Sequence, residues 1–297
     1  IILTRCNICP RKCNAIRTDT ENIGGYCGMP DNPKIARAAL HFWEEPCISG
    51  KNGSGTIFFS GCSLHCVFCQ NSDISIKNNG KIIFEKDLAE IFKMLEYDGA
   101  HNINLVTPTH YVKSILNALD IYKPSIPVVY NSGGYENVET LKKLQGYIDI
   151  YLMDFKYFNS EKSKLYSNAP DYPDICKAAL RETYRQQNKC VFKNGIMQSG
   201  LIVRHLLLPQ STNDAINIFD WVKENTPNAY FSIMSQYLPL EKAADMPVIN
   251  RRVTKREYNK VLNYISDSEF EKCYIQERSS ATSDYIPKFD FTGVDLQ

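Results

Sequence analysis

The chain has 297 residues, of which 43% are hydrophobic and 23% charged, a composition typical of one large globular domain or one domain with an appendage. Its 34 basic and 33 acidic residues give a net charge of +1, so no basic field exists to attract nucleic acid or an anionic membrane. No apolar run approaches the roughly 20 residues of a membrane span, and the start IILTRCNICP lacks the features of a signal peptide. We therefore expect a cytoplasmic protein with no nucleic-acid and no membrane partner.

The eleven cysteines are the most informative feature of the composition. An odd number is a poor disulfide framework, whereas seven of the eleven fall into two tight clusters with the spacing of metal ligands. Clustered thiolates indicate a reducing cytoplasm. The other four, Cys47, Cys176, Cys190 and Cys273, are scattered, and we predict that they are small buried hydrophobic residues.

The chain divides into two regions by pattern. Residues 1–50 are rich in Cys, Gly, Pro and Asn with little periodicity, which predicts an irregular Cys-rich segment organised by a bound metal. Residues 51–297 are predicted to form a barrel domain with a C-terminal helical and strand extension, because short apolar runs alternate with helical periodicity. The predicted strands cover 55–62, 103–107, 126–132, 148–157, 200–209, 230–237 and a weaker 273–276, and the predicted helices cover 84–99, 111–122, 137–146, about 160–188, 213–226 and 254–267.

These predicted strands are nearly continuous apolar runs rather than alternating ones. Strands buried on both faces have this pattern, as in a parallel sheet that is covered by helices. Repeated strand–helix units with short connections then close into part of a barrel. The predicted fold is therefore of the α/β class, a partial (β/α)6 TIM-type barrel with a Cys-rich N-terminal extension.

Three cysteines follow the first predicted strand in the sequence GCSLHCVFCQN, with the spacing C-x3-C-x2-C. The loop after a strand is where such barrels place their active sites. Thiolates this close together can hold three irons of a [4Fe–4S] cluster and leave the fourth iron free to bind a small chelating molecule. The amino and carboxylate groups of S-adenosylmethionine (SAM) suit that role, and an electron passed to its sulfonium would break a C–S bond. The predicted ligands are Cys62, Cys66 and Cys69.

Two other interpretations of this motif are possible, a structural zinc site and simple burial of the thiols. A structural zinc ion takes four ligands and leaves no open position. The fourth ligand could come from His65, but this residue lies between two of the cysteines.

The motif, with the aromatic Phe68 just before its last cysteine, resembles the signature of the radical SAM superfamily, in which the aromatic residue lies beside the adenine. Asp154 and Lys156 in YLMDFKY are similar to the D-x-K segment of glycyl-radical-enzyme activases such as pyruvate formate-lyase activating enzyme. The same resemblance implies that Arg204 in GLIVRHLLLP faces the SAM site. Over nearly the whole chain, the motifs look like the branch labelled pyruvate formate-lyase activating enzyme-like: CNICPRKC, EEPCISG, FFSGCSLHCVFCQN, NLVTPTHY, YSNAPDYP, GLIVRHLLLP and MSQY.

One departure from the family pattern concerns the contact to the amino group of SAM. Radical SAM proteins commonly carry a G-G-E-like segment at the end of the second strand, whereas here Thr107 and Thr109 offer hydroxyls and carbonyls but no carboxylate. The later SGGYE, residues 132–136, follows the third strand, where activases place an Asn-Gly pair. The resemblance therefore implies Asn131 and Ser132 as further SAM contacts.

Charged residues on apolar strands need a partner or a ligand. Because side chains alternate along a strand, Asp154 and Lys156 share one face. Two interpretations stay open and are compatible with each other: an internal salt bridge between Asp154 and Arg204 that closes the barrel, and contact with a polar ligand.

The N-terminal cysteines Cys6, Cys9, Cys13 and Cys27 have the spacing C-x2-C-x3-C-x13-C. Four thiolates make a closed site, and structural zinc or an auxiliary Fe–S cluster fits the spacing equally well. Disulfides are the other interpretation. An auxiliary cluster could relay an electron, bind substrate, or only hold the segment together.

Two further residues are candidates for catalysis. His110 lies at the end of the second strand and Tyr135 follows the third, both at the active end of the predicted barrel. His205 points to the face opposite Arg204 by alternation, so we predict a packing role for it. Gln236 and Tyr237 are candidate pocket residues because they follow another strand.

Three hypotheses for the function follow. In the first, the SAM-derived radical abstracts hydrogen from another protein, as an activase does, and the cluster receives its electron from a donor such as flavodoxin or ferredoxin. In the second, the substrate is a small molecule or a modified peptide. In the third, the chain is a zinc-binding structural protein without turnover.

Overall fold

A computed structural model describes residues 5–277 and 287–295. The strands are β1 Ile16–Arg17, β2 Asn22–Ile23, β3 Lys34–His41, β4 Ser54–Phe59, β5 Lys81–Ile82, β6 Ile103–Val106, β7 Val128–Ser132, β8 Ile150–Asp154, β9 Val191–Lys193, β10 Ile196–Leu206, β11 Tyr230–Met234 and β12 Cys273–Ile275. The α-helices are α1 Pro46–Ser49, α2 Ser72–Ser75, α3 Glu85–Tyr97, α4 Val112–Ile121, α5 Val138–Lys143, α6 Ser160–Ser167, α7 Tyr172–Gln186, α8 Thr212–Asn225 and α9 Lys255–Asp267, and 3-10 turns cover Thr109–Tyr111 and Glu241–Asp245.

The main sheet confirms the predicted parallel barrel. Strands β4, β6, β7, β8, β10, β11 and β12 lie side by side in this order and pair in parallel. Every residue of β4, β6 and β7 is buried, which explains why their sequences are mostly apolar and do not alternate between apolar and polar residues. The weak seventh strand, β12, forms at the far edge and pairs with β11. The fold is a partial TIM-type barrel.

The helices between the strands cover the outside of this sheet. In α3 the apolar residues Leu88, Ile91, Phe92 and Leu95 are buried on one face, as the periodicity predicts. None of the helices in the described residues is long and apolar enough to cross a membrane.

The prediction of an irregular segment over residues 1–50 is wrong for Lys34–His41, which form β3 and pair antiparallel with β4. Their sequence KIARAALH is poor in the β-branched and aromatic residues that indicate a strand, so the pairing partner decides the structure. His41 aligns with Ser54 at the start of β4. The chain therefore leaves β3 at the end of the barrel opposite to the loops that follow the parallel strands.

The residues after β3 close that end of the barrel. Helix α1 lies against the sheet, where the Asn102 side chain donates to the Ile48 carbonyl at 2.8 Å and accepts from Ser54 at 2.6 Å. We call residues 41–46 the floor segment and residues 60–71, at the opposite end, the cluster loop. The interior of the barrel is thus bounded by two segments that lie within about 30 residues of each other in sequence.

Candidate active site

The barrel contains a cavity of about 460 Å³ between the cluster loop and the floor segment. The side chains of Cys62, Cys66 and Cys69 line it from the cluster loop. The three thiols predicted to share a cluster therefore face one common space, and a molecule in that space would be in contact with whatever the thiols hold.

Hydrogen-bond donors surround these three sulfurs. The Leu64 amide donates to Cys62 Sγ at 3.3 Å, the Ser167 hydroxyl donates to Cys66 Sγ at 3.0 Å, and Ser75 Oγ lies 3.2 Å from Cys69 Sγ. Burial raises the pKa of Cys62 to about 12, and the neighbouring Cys66 and Cys69 add to the shift, so a free thiol here would be protonated. Donors aimed at sulfur suit thiolates that are bound to a metal cluster, because such bonds stabilise the ligands and tune the cluster. The donor set fits the predicted group.

His65 does not complete a fourth ligand position. Its ring stacks on Tyr26 with the ring centroids 4.6 Å apart, and it does not line the cavity. Among the residues that the structure describes, no three His, Cys, Asp or Glu side chains have the arrangement of a metal-ion site.

Asp154, Lys156 and Arg204 meet in the cavity wall. Lys156 Nζ donates to Asp154 Oδ2 at 2.5 Å, and Arg204 Nε donates to Asp154 Oδ1 at 2.8 Å. The register of β8 with β10 causes this, since Asp154 and Arg204 are direct neighbours across the two strands. Burial alone would raise the pKa of Asp154, but the charges of Arg204 and Lys156 outweigh it and hold this pKa below its usual value. The internal salt bridge forms, and all three residues also line the cavity.

Two acidic residues of the floor segment join this network, and the sequence pattern did not predict them as site residues. Glu44 Oε2 accepts from Arg204 Nη1 at 2.9 Å, and its Oε1 accepts from the side-chain amides of Asn104 and Asn131, each at 3.1 Å. Glu45 Oε2 lies 3.8 Å from Arg204 Nη1. The acidic pair stands in the motif EEPCISG, but the segment was interpreted as irregular, so nothing placed it inside the barrel.

Phe68 is buried at the edge of the cavity. It makes edge-to-face contacts with Tyr157, Tyr166 and Tyr237, with ring centroids 5.9 to 6.3 Å apart. These aromatic contacts hold the Phe68 ring in a defined position beside the cavity. The aromatic residue of the motif is therefore rigidly held beside the cluster loop.

The loops after β6 and β7 bring part of the predicted SAM contacts to the cavity. Thr107, Asn131 and Ser132 line it. Thr107 has a φ of 60°, which is unusual for a β-branched residue. After β7, Gly134 has a φ of +77°, and an added Cβ would lie 2.2 Å from the Asp154 carbonyl oxygen, so only glycine fits this close approach.

Thr109 and the carboxylate of the SGGYE segment face away from the cavity. The Thr109 hydroxyl donates to Glu136 Oε1 at 2.6 Å, and the Tyr130 hydroxyl donates to Glu136 Oε2 at 3.1 Å. Burial raises the pKa of Glu136 to about 7. The predicted SAM contact at Thr109 is therefore not among the described residues that line the cavity.

The two candidate catalytic residues also lie outside the cavity lining. His110 is buried with its Nε2 2.7 Å from the Ser60 carbonyl, and burial lowers its pKa to about 3. The Tyr135 hydroxyl donates to Asp171 Oδ1 at 2.8 Å. His205 packs in the interior with Nδ1 2.8 Å from the Phe155 carbonyl, in agreement with its predicted face.

The pocket residues predicted after β11 divide in the same way. Gln236 lines the cavity, and its backbone carbonyl accepts from the Gln70 amide at 3.1 Å, which joins β11 to the cluster loop. Tyr237 instead donates to the Ile249 carbonyl at 2.7 Å and supports Phe68 from behind.

The N-terminal cysteines do not line the cavity. All eleven cysteines are free thiols. Burial raises the pKa of Cys9 to about 12, while a hydrogen bond from the Arg11 backbone opposes the shift, and the Met29 backbone donates in the same way to Cys27. This donor set suits a metal-bound thiolate group as well. The other two N-terminal cysteines are Cys6 and Cys13.

The Arg11 side chain joins the N-terminal segment to the barrel. Its Nε donates to the Ser63 carbonyl at 2.7 Å, and its Nη1 and Nη2 donate to the carbonyls of Asn168 and Ser167 at 2.5 and 2.8 Å. Its guanidinium also lies over the Tyr26 ring at 4.0 Å. The N-terminal cysteines are thus packed against the outer side of the cluster loop.

The chain is similar to several known proteins. It is 35% identical over 283 residues to the uncharacterized protein MJ0674 of Methanocaldococcus jannaschii, an alignment that covers 92% of this chain and 78% of that protein. Among solved structures, Streptococcus suis SuiB bound to S-adenosylmethionine matches with a TM-score of 0.50 at 16% identity, over 73% of this chain and 48% of SuiB. SuiB bound to its precursor peptide SuiA matches with a TM-score of 0.51. The chain spans about half the length of SuiB.

Methylornithine synthase (PylB) matches with a TM-score of 0.51 at 17% identity, over 81% of this chain and 65% of that enzyme. These structural likenesses show the shared fold. The model of the radical SAM superfamily matches residues 56–222, which include the cluster loop and the Asp154–Arg204 wall. The chain therefore belongs to the radical SAM superfamily, which implies a [4Fe–4S] cluster and SAM as its cofactors.

Proposed function

We propose that this protein cleaves SAM reductively and abstracts hydrogen from a protein substrate, in the manner of a glycyl-radical activase. The observation that carries the proposal is that Cys62, Cys66 and Cys69 share one cavity with Asp154, Lys156 and Arg204. The thiols would hold the cluster, and the charged wall would orient the polar groups of SAM. We also propose that residues 1–50 form a metal-bound unit, with an Fe–S cluster or zinc on the N-terminal cysteines.

When the cofactors are bound, one electron from a flavodoxin- or ferredoxin-type donor breaks the C5′–S bond of SAM, which yields methionine and a 5′-deoxyadenosyl radical that takes a hydrogen atom from the substrate. The residues of the chain would position the reacting groups. Phe68 supplies a fixed apolar ring for the adenine, and Asn131 and Ser132 offer side-chain polar groups from the adjacent strand end. The buried Asp154 stays ionised because two cations hold it.

Exposed apolar residues of the cavity lining favour a protein substrate. Phe42, Trp43 and Ile275 line the cavity and are 49%, 58% and 50% exposed. Apolar side chains that are exposed together around a cavity are typical of a surface that contacts another chain. A cavity of about 460 Å³ is near the lower end of the range for single-ligand pockets, so beside SAM it would admit only one side chain or a small group.

Anaerobic reconstitution tests the proposal. The purified chain is loaded with iron and sulfide, reduced with dithionite and incubated with SAM, and 5′-deoxyadenosine is quantified by chromatography. We expect 5′-deoxyadenosine together with methionine in equal amounts. Uptake of zinc without iron and sulfide, with no SAM cleavage, would favour the structural zinc-binding protein instead.

Isotope transfer separates the two enzymatic hypotheses. Lysate proteins labelled with deuterium at carbon are fractionated by size and supplied to the reduced holoenzyme, and the mass of the 5′-deoxyadenosine is measured. Deuterium that comes from the protein fraction supports a protein substrate. Deuterium that comes only from the fraction of small molecules contradicts it.

A further inference from the structure

The charges that line the cavity do not balance among the residues described. Three carboxylates, those of Glu44, Glu45 and Asp154, face two cations, Lys156 and Arg204. His41, which also lines the cavity, adds no positive charge near neutral pH, because burial lowers its pKa to about 4. With all three carboxyl groups ionised, the cavity wall would carry one surplus negative charge.

The surplus lies on Glu45. Asp154 is bonded by both cations, and Glu44 accepts from Arg204 and from two amide groups. Glu45 Oε2 has no hydrogen-bond partner in the described part of the chain, and its ion-pair contact to Arg204 Nη1 at 3.8 Å is longer than a hydrogen bond. A buried carboxylate oxygen without a donor is costly, so a donor from outside the chain is expected here.

The side chain of Glu45 is placed to receive such a donor. It is only 7% exposed, yet it lines the cavity from the floor segment. Burial raises the pKa of Glu45, and the neighbouring Glu44 adds to the rise. Arg204 and hydrogen bonds from the Glu45 backbone and the Ser232 side chain oppose it, so a further partner that carries a positive charge would favour the ionised carboxylate. The amino group of SAM is not that partner, since it would bind the free iron beside the cluster loop, at the opposite end of the cavity from the floor segment.

The walls around Glu45 define what the donor is attached to. Phe42, Trp43 and Tyr274 also line the cavity. Aromatic faces attract cations and pack against aliphatic chains. A single oxygen without a partner matches the compact point charge of an ammonium group better than the two-pronged guanidinium, which prefers both oxygens of a carboxylate.

We propose that Glu45 is a specificity-determining residue that binds a primary ammonium group, carried on an aliphatic stem, of the substrate. That the bound molecule is a substrate rests on the proposed function, but binding of the ammonium group by Glu45 does not depend on turnover. Two sources share this chemistry: a lysine side chain in a peptide and a free alkylamine.

Calorimetric titration of the reconstituted holoenzyme with SAM present tests the assignment. The probes are Nα-acetyl-lysine methylamide, Nα-acetyl-norleucine methylamide, which lacks only the ammonium group, and n-butylammonium. We expect the lysine probe to bind at least about tenfold more tightly than the norleucine probe, a difference of about 1.4 kcal/mol. Equal binding of these two probes would overturn the assignment. Tighter binding of n-butylammonium than of the lysine probe would support the ammonium site and identify a free amine as the source.

The variant Glu45→Gln keeps the shape of the side chain and removes its charge. We expect it to lose the preference for the lysine probe over the norleucine probe. Glu182→Gln is the matched control, since the Glu182 side chain is also 7% exposed but lies outside the cavity. A preference that survives in Glu45→Gln, or that disappears equally in both variants, would overturn the role of Glu45. If Glu45→Gln does not fold, as judged by its melting temperature, the difference in binding between the lysine and norleucine probes on the unmodified chain decides whether the assignment holds.

The outcomes separate this inference from the proposed function. Cleavage of SAM by the unmodified holoenzyme with no preference for the lysine probe contradicts the inference alone. A preference for the lysine probe without any cleavage of SAM contradicts the proposed function alone and leaves an ammonium-binding site.

Discussion

The two groups of cysteines have similar spacing but face different surroundings. The thiols of the cluster loop line a cavity together with Asp154, Lys156 and Arg204, whereas none of the N-terminal four lines it, and Cys9 and Cys27 are buried with backbone donors to their sulfurs. Spacing alone predicts that both groups bind metal. Only the surroundings distinguish a group that can meet a ligand from one that can hold a segment in place.

Among the variants that test this comparison, Cys66→Ala is expected to have the largest effect. The change removes a proposed iron ligand together with the Ser167 hydrogen bond to its sulfur. Loss of an outer partner alone typically costs roughly 10- to 100-fold, so we expect SAM cleavage to fall by more than about 100-fold. The measurement is 5′-deoxyadenosine formed per chain under dithionite. Cys190→Ala, outside both groups, is the control, and activity that persists in Cys66→Ala would contradict the ligand assignment.

The charged wall of the cavity is tested by Arg204→Met. This change leaves Glu44 buried without its cation and leaves Asp154 with Lys156 as its one remaining cation among the described residues. Breaking a buried ion pair costs about 3–5 kcal/mol, which we expect as the loss of unfolding free energy in anaerobic urea denaturation. Arg251→Met is the matched control, because the Arg251–Glu257 pair is partly exposed and such pairs contribute about 1 kcal/mol or less. A similar loss of unfolding free energy in both variants would show that the cavity network contributes no more to stability than a partly exposed ion pair.

The N-terminal group is tested by Cys13→Ala. If this group only holds the segment together, SAM cleavage stays within about fivefold of the unmodified chain, equivalent to about 1 kcal/mol. The bound metal of this group and the melting temperature are expected to fall, since structural metal binding contributes directly to folding. Metal analysis, calorimetry and SAM cleavage are measured on the same preparation. A loss of cleavage as large as in Cys66→Ala would indicate that electrons pass through the N-terminal group.

The last prediction concerns the pH dependence of stability at Glu136, whose neighbour Asn137 donates to the Asn7 carbonyl of the N-terminal segment at 2.9 Å. Its pKa is raised from 4.5 to about 7, chiefly by burial, so the folded chain binds more protons than the unfolded chain between these values. This contribution to stability is complete below pH 4.5 and is lost as the pH rises through 7, by at most about 1.4 kcal/mol per pH unit.

Glu136→Gln should therefore flatten the decline in unfolding free energy between pH 5 and pH 7, measured by urea denaturation. The Glu136 side chain faces away from the cavity. The variant therefore also allows side chains on that side of the strand ends to be compared with those that line the cavity. An unchanged slope would contradict the raised pKa.

The parallel barrel could be predicted from sequence because its strands are buried on both faces. The runs INLV of β6 and VVYNS of β7 have no alternation to confuse with another pattern, and their helices follow at regular distances. The cluster ligands could be predicted for a different reason, since three thiols within eight residues have few other uses. Asp154 and Arg204 followed from strand alternation together with the family resemblance.

The floor segment could not be predicted in this way. Strand β3 consists largely of alanine and charged residues, whose strand preference is weak, and it forms because β4 offers an open edge. Glu44 and Glu45 enter the barrel only through that pairing. Conversely, His110 and Tyr135 stand at the correct strand ends, but their side chains turn into the protein, a choice that position in the sequence does not determine.

The antiparallel direction of β3 has a consequence for how such an enzyme can change over time. It divides the cavity between two independent loops: one carries the thiols, and the other, six residues long, carries Glu44 and Glu45. A barrel that keeps its thiols at one end could vary the residues of the floor segment that do not bond the charged wall, whereas Glu44 is held by Arg204, Asn104 and Asn131. Exchange of residues 41–46 between relatives is therefore a route by which the same radical chemistry could be redirected to new targets.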